Sequence, residues 1–130
     1  MITKFCVALM LGLTILYETG PIERFASARH YSSYCRVVPG IGASSGVVRR
    51  RGRQSKQGNP TLKWAFNQAA THAVRSYPRI RAYFDRQLAK HVGRAGKLVV
   101  YNTVAHKLAV AAFHILRDQV DYEEDLLFAS

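Results

Sequence analysis

The sequence is poor in acidic residues and in cysteine. Its 130 residues include 8 Asp and Glu against 19 Lys and Arg, and only two Cys. Two thiols exclude a disulfide framework and a zinc site built from four thiolates. The length excludes a large nucleotide-binding fold joined to a substrate domain, because a chain of this size makes one small domain.

The shortage of acids leaves a formal net charge of +11. Apolar residues make up 48% of the chain, which is enough for a core and too many for a disordered tail. A surplus of positive charge favours a polyanionic partner, and nucleic acid is a better candidate than a membrane.

Near the N-terminus, no apolar run reaches the ~20 residues that a membrane span needs. The longest run near the N-terminus, 5–13, has the character of a signal peptide, but no small-x-small cleavage site follows it. A signal peptide and a membrane anchor are therefore the weaker alternatives. We expect a buried helix instead, with Leu9, Leu13 and Leu16 facing the core and Leu11 and Ile15 flanking them.

Without a secretory signal, we expect a cytoplasmic protein. Cys6 and Cys35 are then interpreted as free, buried thiols in a reducing compartment.

The pattern predicts a mainly α fold, a small domain of four to five helices with a basic Gly-rich loop or short hairpin. Gly20-Pro21 ends the first helix, Ser27 caps a short second one, and Asn59-Pro60 begins the clearest helix. The helices are predicted at about 3–17, 28–36, 59 onward, 78–91 and 97–117.

Apolar spacing predicts which helix faces are buried. The third helix should bury a stripe of six residues and the fourth a stripe of four. The last helix should bury a stripe of five. In chain order these are Leu62, Ala65, Phe66, Ala69, Ala73 and Val74; Ile80, Tyr83, Phe84 and Leu88; and Val99, Thr103, His106, Val110 and Phe113.

The segment 40–58 has a composition unlike the rest of the chain. It holds five glycines, and five cations fall within eight residues: Arg49, Arg50, Arg51, Arg53 and Lys56. No acid lies between Arg24 and Asp85. Such a segment cannot pack a core, and its cations would neutralise several phosphates while its glycines allow close backbone approach. A merely solvated charged loop is the alternative.

Ser44 and Ser45 lie at the head of this segment. The pattern 42–46 matches a G-x-S-x-G nucleophile elbow, but the Arg-rich sequence that follows cannot form the buried helix that the elbow requires. A dinucleotide fingerprint fails because the acid it needs is absent. A hydroxyl beside clustered Arg could still attack a phosphodiester, although most serines in Gly-rich loops only form turns.

No metal site is expected within this chain. The five histidines show no metal-ligand spacing, and H-E-x-x-H is absent. The final segment, 121–130, carries half of all the acids and is interpreted as a solvated acidic tail.

Several short motifs follow one another in a familiar order. They are Gly20-Pro21-Ile22-Glu23-Arg24-Phe25, Tyr34-Cys35-Arg36-Val37-Val38-Pro39, Ser44-Ser45-Gly46, Arg51-Gly52, Ser55-Lys56-Gln57-Gly58-Asn59, Leu62-Lys63-Trp64-Ala65 and Ala105-His106-Lys107-Leu108-Ala109. Together they resemble the C-terminal domain of transposases of the insertion sequence 110 group (116/110/902). The resemblance covers residues 11–117, and we assign residues 1–120 to this domain.

The resemblance implies DNA transposition or recombination by a serine nucleophile. It places that serine on Ser45, with Ser44 as the alternate. The loop cations and Lys63 would hold nucleic acid. Trp64 beside Lys63 is either a core residue or a stacking surface.

The resemblance also implies an N-terminal domain of ribonuclease-H type, in which four acids bind a divalent metal such as Mg²⁺. This chain has only Glu18 and Glu23 before Asp85, so no four-carboxylate site can form within it. We therefore expect a truncated copy that needs this acidic domain as a partner, with DNA, an element-encoded guide RNA and a homo-oligomer as further partners by resemblance. The alternative is a non-catalytic nucleic-acid-binding module.

Overall fold

The computed structural model describes residues 2–38, 58–91 and 96–119, with side chains from residue 8. These residues form five α-helices and one 3-10 turn, and no strand occurs among them. In chain order the elements are α1 (Ile2–Thr19), the 3-10 turn (Ile22–Arg24), α2 (Ala28–Tyr34), α3 (Pro60–Ser76), α4 (Pro78–Lys90) and α5 (Gly96–Asp118). The prediction of a small, mainly helical domain is confirmed.

The helix ends follow the capping signals of the sequence. Gly20 adopts a φ of 64° after the last turn of α1, a conformation that glycine reaches without strain. The Ser27 hydroxyl accepts from the backbone N–H of His30, and the Asn59 side chain accepts from that of Leu62. Pro60 and Pro78 occupy the first positions of α3 and α4, where a missing N–H costs nothing.

Helices α3 and α5 pack against each other at the centre of the domain. Helix α1 packs on α3, α2 packs on α5, and α4 contacts both central helices. Three fully buried aromatic rings join these layers: the Tyr31 ring centroid lies 6.2 Å from that of Phe66 and 6.1 Å from that of Phe113. The Tyr31 hydroxyl shares a buried 2.7 Å hydrogen bond with Thr19, so the polar end of this ring is satisfied.

The predicted orientation of α1 is wrong. Leu9, Leu13 and Leu16 are each more than half exposed, whereas Leu11 is buried and Ile15 packs against the core. Positions 11 and 15 and positions 9, 13 and 16 both have helical spacing, so the helix offers two apolar stripes. Spacing cannot choose between them, and contact with α3 selects the narrower one.

The predicted stripe of α5 is also mostly wrong. Phe113 is buried as expected, but Val99 is exposed, and Thr103, His106 and Val110 are only partly buried. The buried positions are instead Gly96, Val100, Val104, Ala105, Ala109, Ala111 and Phe113. Apolar residues surround α5 because α2, α3 and α4 all pack on it, so its sequence carries no single preferred face.

The stripes of α3 and α4 are largely confirmed. Ala70 rather than Ala69 completes the buried face of α3, and Leu88 of α4 is partly buried.

Among the described helices, α5 alone has the length and mean hydropathy (1.3) of a membrane span. Val100, Val104 and Phe113 of this helix lie in the core of the domain, and 28% of the apolar stretch is buried.

Candidate nucleic-acid interface

Most of the predicted site lies outside the described residues. The undescribed site residues are the serines Ser44 and Ser45 and the loop cations Arg49, Arg50, Arg51, Arg53 and Lys56. The predicted loop or short hairpin also lies outside the described residues. Lys63 is described and is exposed in the first turns of α3. The structure also describes the two places where the segment 39–57 joins the helices.

The chain enters this segment from a fixed position beside α2. Arg36 has a φ of 60°, which turns the backbone away from the helix axis. Val37 is fully buried, and its N–H donates to the Ser32 carbonyl at 3.2 Å. The Asn102 amide of α5 donates to the Val37 carbonyl at 3.4 Å. The N–H and the carbonyl of Val37 are therefore both hydrogen-bonded to helices, the first to α2 and the second to α5.

The chain leaves the segment through Asn59, which joins three helices. Its N–H donates to the Tyr34 carbonyl of α2 at 2.7 Å. Its side-chain amide donates to a Glu18 carboxylate oxygen of α1 at 3.0 Å and to the Tyr34 hydroxyl at 3.3 Å. The Asn59 side-chain oxygen caps α3. The described residues on both sides of 39–57 thus contact α2.

Arg24 adds a cation at this end of the domain. Its Nε donates to the Thr19 carbonyl at 3.1 Å, and its guanidinium carbon lies 4.7 Å from the Phe25 ring centroid and 4.8 Å from that of Tyr34. Hydrogen bonds from Asn59 and Arg24 lower the pKa of the Tyr34 phenol. The ring contacts fix the guanidinium in place while its side chain stays exposed.

Sequence reasoning identified Asn59 as a cap but missed its role as a cross-link. Glu18 lies 41 residues before Asn59, and Tyr34 lies 25 residues before it. No local motif signals contacts across such separations. The ordered motifs around Arg24 and Tyr34 did include these residues, but without a role for either.

Lys63 and Trp64 are both exposed just after Asn59. Trp64 keeps 55% of its surface accessible, so of the two alternatives for this residue the core position is wrong. Ala65 and Phe66, the next two residues, face the core instead. Lys63 and Trp64 are thus consecutive exposed residues of α3, about 100° apart around the helix axis, and they follow closely after the basic segment 40–58.

Comparison with known families identifies the chain. The family model described as "Transposase IS116/IS110/IS902 family" matches residues 6–85. The chain belongs to this transposase family. No curated protein and no solved structure matches it. The matched range contains α2 and α3, most of α1 and α4, the basic segment and both of its anchors, so membership supports a role in DNA transposition and contact with DNA.

The described part of this transposase chain offers neither a reactive thiol nor a group of metal ligands. Burial raises the pKa of the Cys35 thiol to about 12, which leaves almost no thiolate at neutral pH. Within the described ranges no group of three His, Cys, Asp or Glu could hold a metal ion. Two of the acids there are bound to neighbouring cations, Asp85 to Arg81 at 3.3 Å and Asp118 to Arg117 at 2.8 Å.

Proposed function

We propose that this chain is the serine-bearing DNA-recombination domain of its transposase, spanning residues 1–120, with the Ser45 hydroxyl as the nucleophile and Ser44 as the alternate. Membership of the family carries this proposal, because the match includes the segment that holds both serines. The anchors at Val37 and Asn59 support it. They hold the described residues on both sides of the segment 39–57 against α2.

The proposed step is a transesterification at phosphorus. The serine oxygen forms a bond to the phosphorus of a DNA phosphodiester, and the bond from phosphorus to one sugar oxygen breaks. The serine proton passes to a base, and the departing sugar oxygen takes up a proton. Arg49, Arg50, Arg51, Arg53 and Lys56 would bind the phosphates and stabilise the charge that develops on the phosphoryl oxygens. Lys63 would extend this contact onto α3.

Carboxylates for metal binding would lie outside residues 1–130. We propose an acidic domain of ribonuclease-H type as the partner, which would supply a divalent metal such as Mg²⁺. DNA, an element-encoded guide RNA and further copies of the transposase complete the proposed assembly, which would act in the cytoplasm.

The test is the capture of a covalent protein–DNA adduct. The chain would be mixed with the acidic domain, Mg²⁺, RNA transcribed from the element and labelled DNA carrying the element's ends, and then separated under denaturing conditions. We expect a labelled adduct with the wild type and with Ser44→Ala, and none with Ser45→Ala. An equal yield from Ser45→Ala would overturn the assignment, and loss only with Ser44→Ala would move it to the alternate.

A non-catalytic nucleic-acid-binding module is the second candidate. The exposed pair Lys63 and Trp64 favours it, because this surface needs neither serine nor metal. This candidate predicts salt-sensitive binding of DNA that Ser45→Ala leaves unchanged, with no adduct from any variant under the conditions above.

A further inference from the structure

Trp64 is the only tryptophan in the chain, and it is on the surface. The other large aromatics of the central layers, Tyr31, Phe66 and Phe113, are at most 2% exposed. Trp64 is 55% exposed, although it stands in α3 directly before two core residues. The exposed half of the indole ring contributes nothing to the core, so it is accessible to a ligand.

The surroundings of Trp64 on α3 are polar and lack negative charge. Residues three and four positions away along the helix are Pro60, Thr61, Asn67 and Gln68, and Lys63 is adjacent. Helix α3 contains no Asp or Glu. Glu18 of α1 already accepts a hydrogen bond from Asn59. A polyanion can therefore approach this face without meeting a free carboxylate of α3.

Along α3 itself, the neighbours of Trp64 are polar. The exposed apolar side chains that a protein partner would join, Leu9, Met10, Leu13, Leu16 and Tyr17, lie on α1. On α3 the ring and the adjacent cation project about 100° apart, and a single strand that passes over both can place a base on the ring and the neighbouring phosphate on the cation.

We propose that Trp64 stacks on an unpaired nucleobase and that Lys63 contacts the adjoining phosphate. Stacking of this kind tolerates any base, so the surface would hold single-stranded nucleic acid without reading its sequence. The proposal deepens the nucleic-acid-binding role given above and rests on it, but it requires no covalent chemistry at Ser45.

Because Trp64 is the sole tryptophan, its fluorescence reports directly on its own contacts. The full chain would be titrated with oligo-dT, with oligo-U and with duplex DNA, each fluorescently labelled so that anisotropy measures binding independently. We expect strong quenching by a single strand and little by the duplex, and the two single-stranded arms decide between DNA and RNA. Unchanged emission at saturating single strand would overturn the proposal.

Substitutions separate stacking from general charge attraction. Trp64→Ala should weaken single-strand binding about 5- to 150-fold, and Trp64→Phe should recover part of the loss. Tyr77→Ala is the matched control, because Tyr77 is 52% exposed but lies about 20 Å away at the other end of α3. Equal losses in Trp64→Ala and Tyr77→Ala, or no loss in Trp64→Ala, would contradict the proposal.

Two further variants distinguish this proposal from the catalytic one. A plot of the logarithm of the binding constant against the logarithm of the salt concentration should be less steep for Lys63→Ala. The slope should change by about 0.7, as expected for the loss of one phosphate contact on a single strand. Ser45→Ala should keep the full quenching of Trp64 while it loses the covalent adduct. In the wild-type chain, quenching without any adduct would refute the nucleophile alone, and an adduct without quenching would refute the stacking surface alone.

Discussion

The backbone of Gly58 lies directly against the carbonyl of Tyr34. A Cβ atom placed on Gly58 would be 2.5 Å from that oxygen and 2.8 Å from Cγ of Arg36. The φ of Gly58 is 105°, a conformation that residues with a side chain rarely adopt. This contact brings the end of the basic segment onto the C-terminal end of α2, next to the hydrogen bond between Asn59 and Tyr34.

Gly58→Ala should therefore destabilise the domain by about 1–3 kcal/mol, because the new methyl group meets backbone and the φ becomes strained. Gly12→Ala is the matched control. Gly12 lies in α1 with open space around it, and alanine there should stabilise the helix by ~0.5–1 kcal/mol. Urea unfolding followed by circular dichroism measures both. Equal effects of the two substitutions would show that Gly58 is not in close contact with Tyr34.

Two leucines of α1 should respond very differently to truncation. Leu11 is 7% exposed and Leu13 is 56% exposed. Leu11→Ala should cost about 2–3 kcal/mol in the free energy of unfolding, whereas Leu13→Ala should stay within about 0.5 kcal/mol of the wild type. Thermal melting distinguishes these values. The reverse order would mean that α1 buries the stripe of Leu9, Leu13 and Leu16, as the sequence suggested.

The stability of the domain should fall in mild acid because of His106. Burial, and then the charge of Lys107, lower the pKa of His106 from its ordinary 6.5. Below pH 6.5 the unfolded chain then binds more protons than the folded one, so stability declines as the pH falls toward the folded pKa. His106→Gln should lose less stability between pH 7.5 and pH 5. Identical pH dependence in the variant and the wild type would exclude His106 as the source.

Cys35 should resist alkylation in the native protein. Its pKa of about 12 lowers the thiolate fraction at pH 8 roughly a thousandfold relative to an unfolded chain, and burial blocks access as well. Iodoacetamide at pH 8 followed by peptide mass mapping should label Cys35 only after denaturant is added. Rapid labelling of the native protein would show that the core around Tyr31 and Cys35 opens readily.

Local signals predicted where the helices begin and end. Ser27, Asn59 and the two prolines at 60 and 78 act through backbone groups a few residues away, so the printed sequence contains all the partners they need. The amphipathic helix α3 was also oriented correctly, apart from Ala69, because its polar residues mark an outer face.

Some features of the candidate site could likewise be predicted from the sequence, and others could not. The order of motifs led to the transposase family, and the charge of the basic segment pointed to nucleic acid before any contact was known. The cross-link from Asn59 to Glu18 and Tyr34 could not be predicted, because its partners lie 41 and 25 residues away. The sequence also could not predict that Trp64 is exposed, because a bulky apolar residue in a helix fits a core or a surface equally well.

The sequence by itself determined the helical class, the caps, the positive charge and the family of this protein, because each depends on neighbouring residues or on composition. Only the tertiary structure decided which faces of α1 and α5 are buried, that Trp64 meets solvent, and that Gly58 and Asn59 bind the end of the basic segment to α2. Helices that are apolar on more than one side have no orientation of their own, so the shape and position of the neighbouring helices select the face that packs.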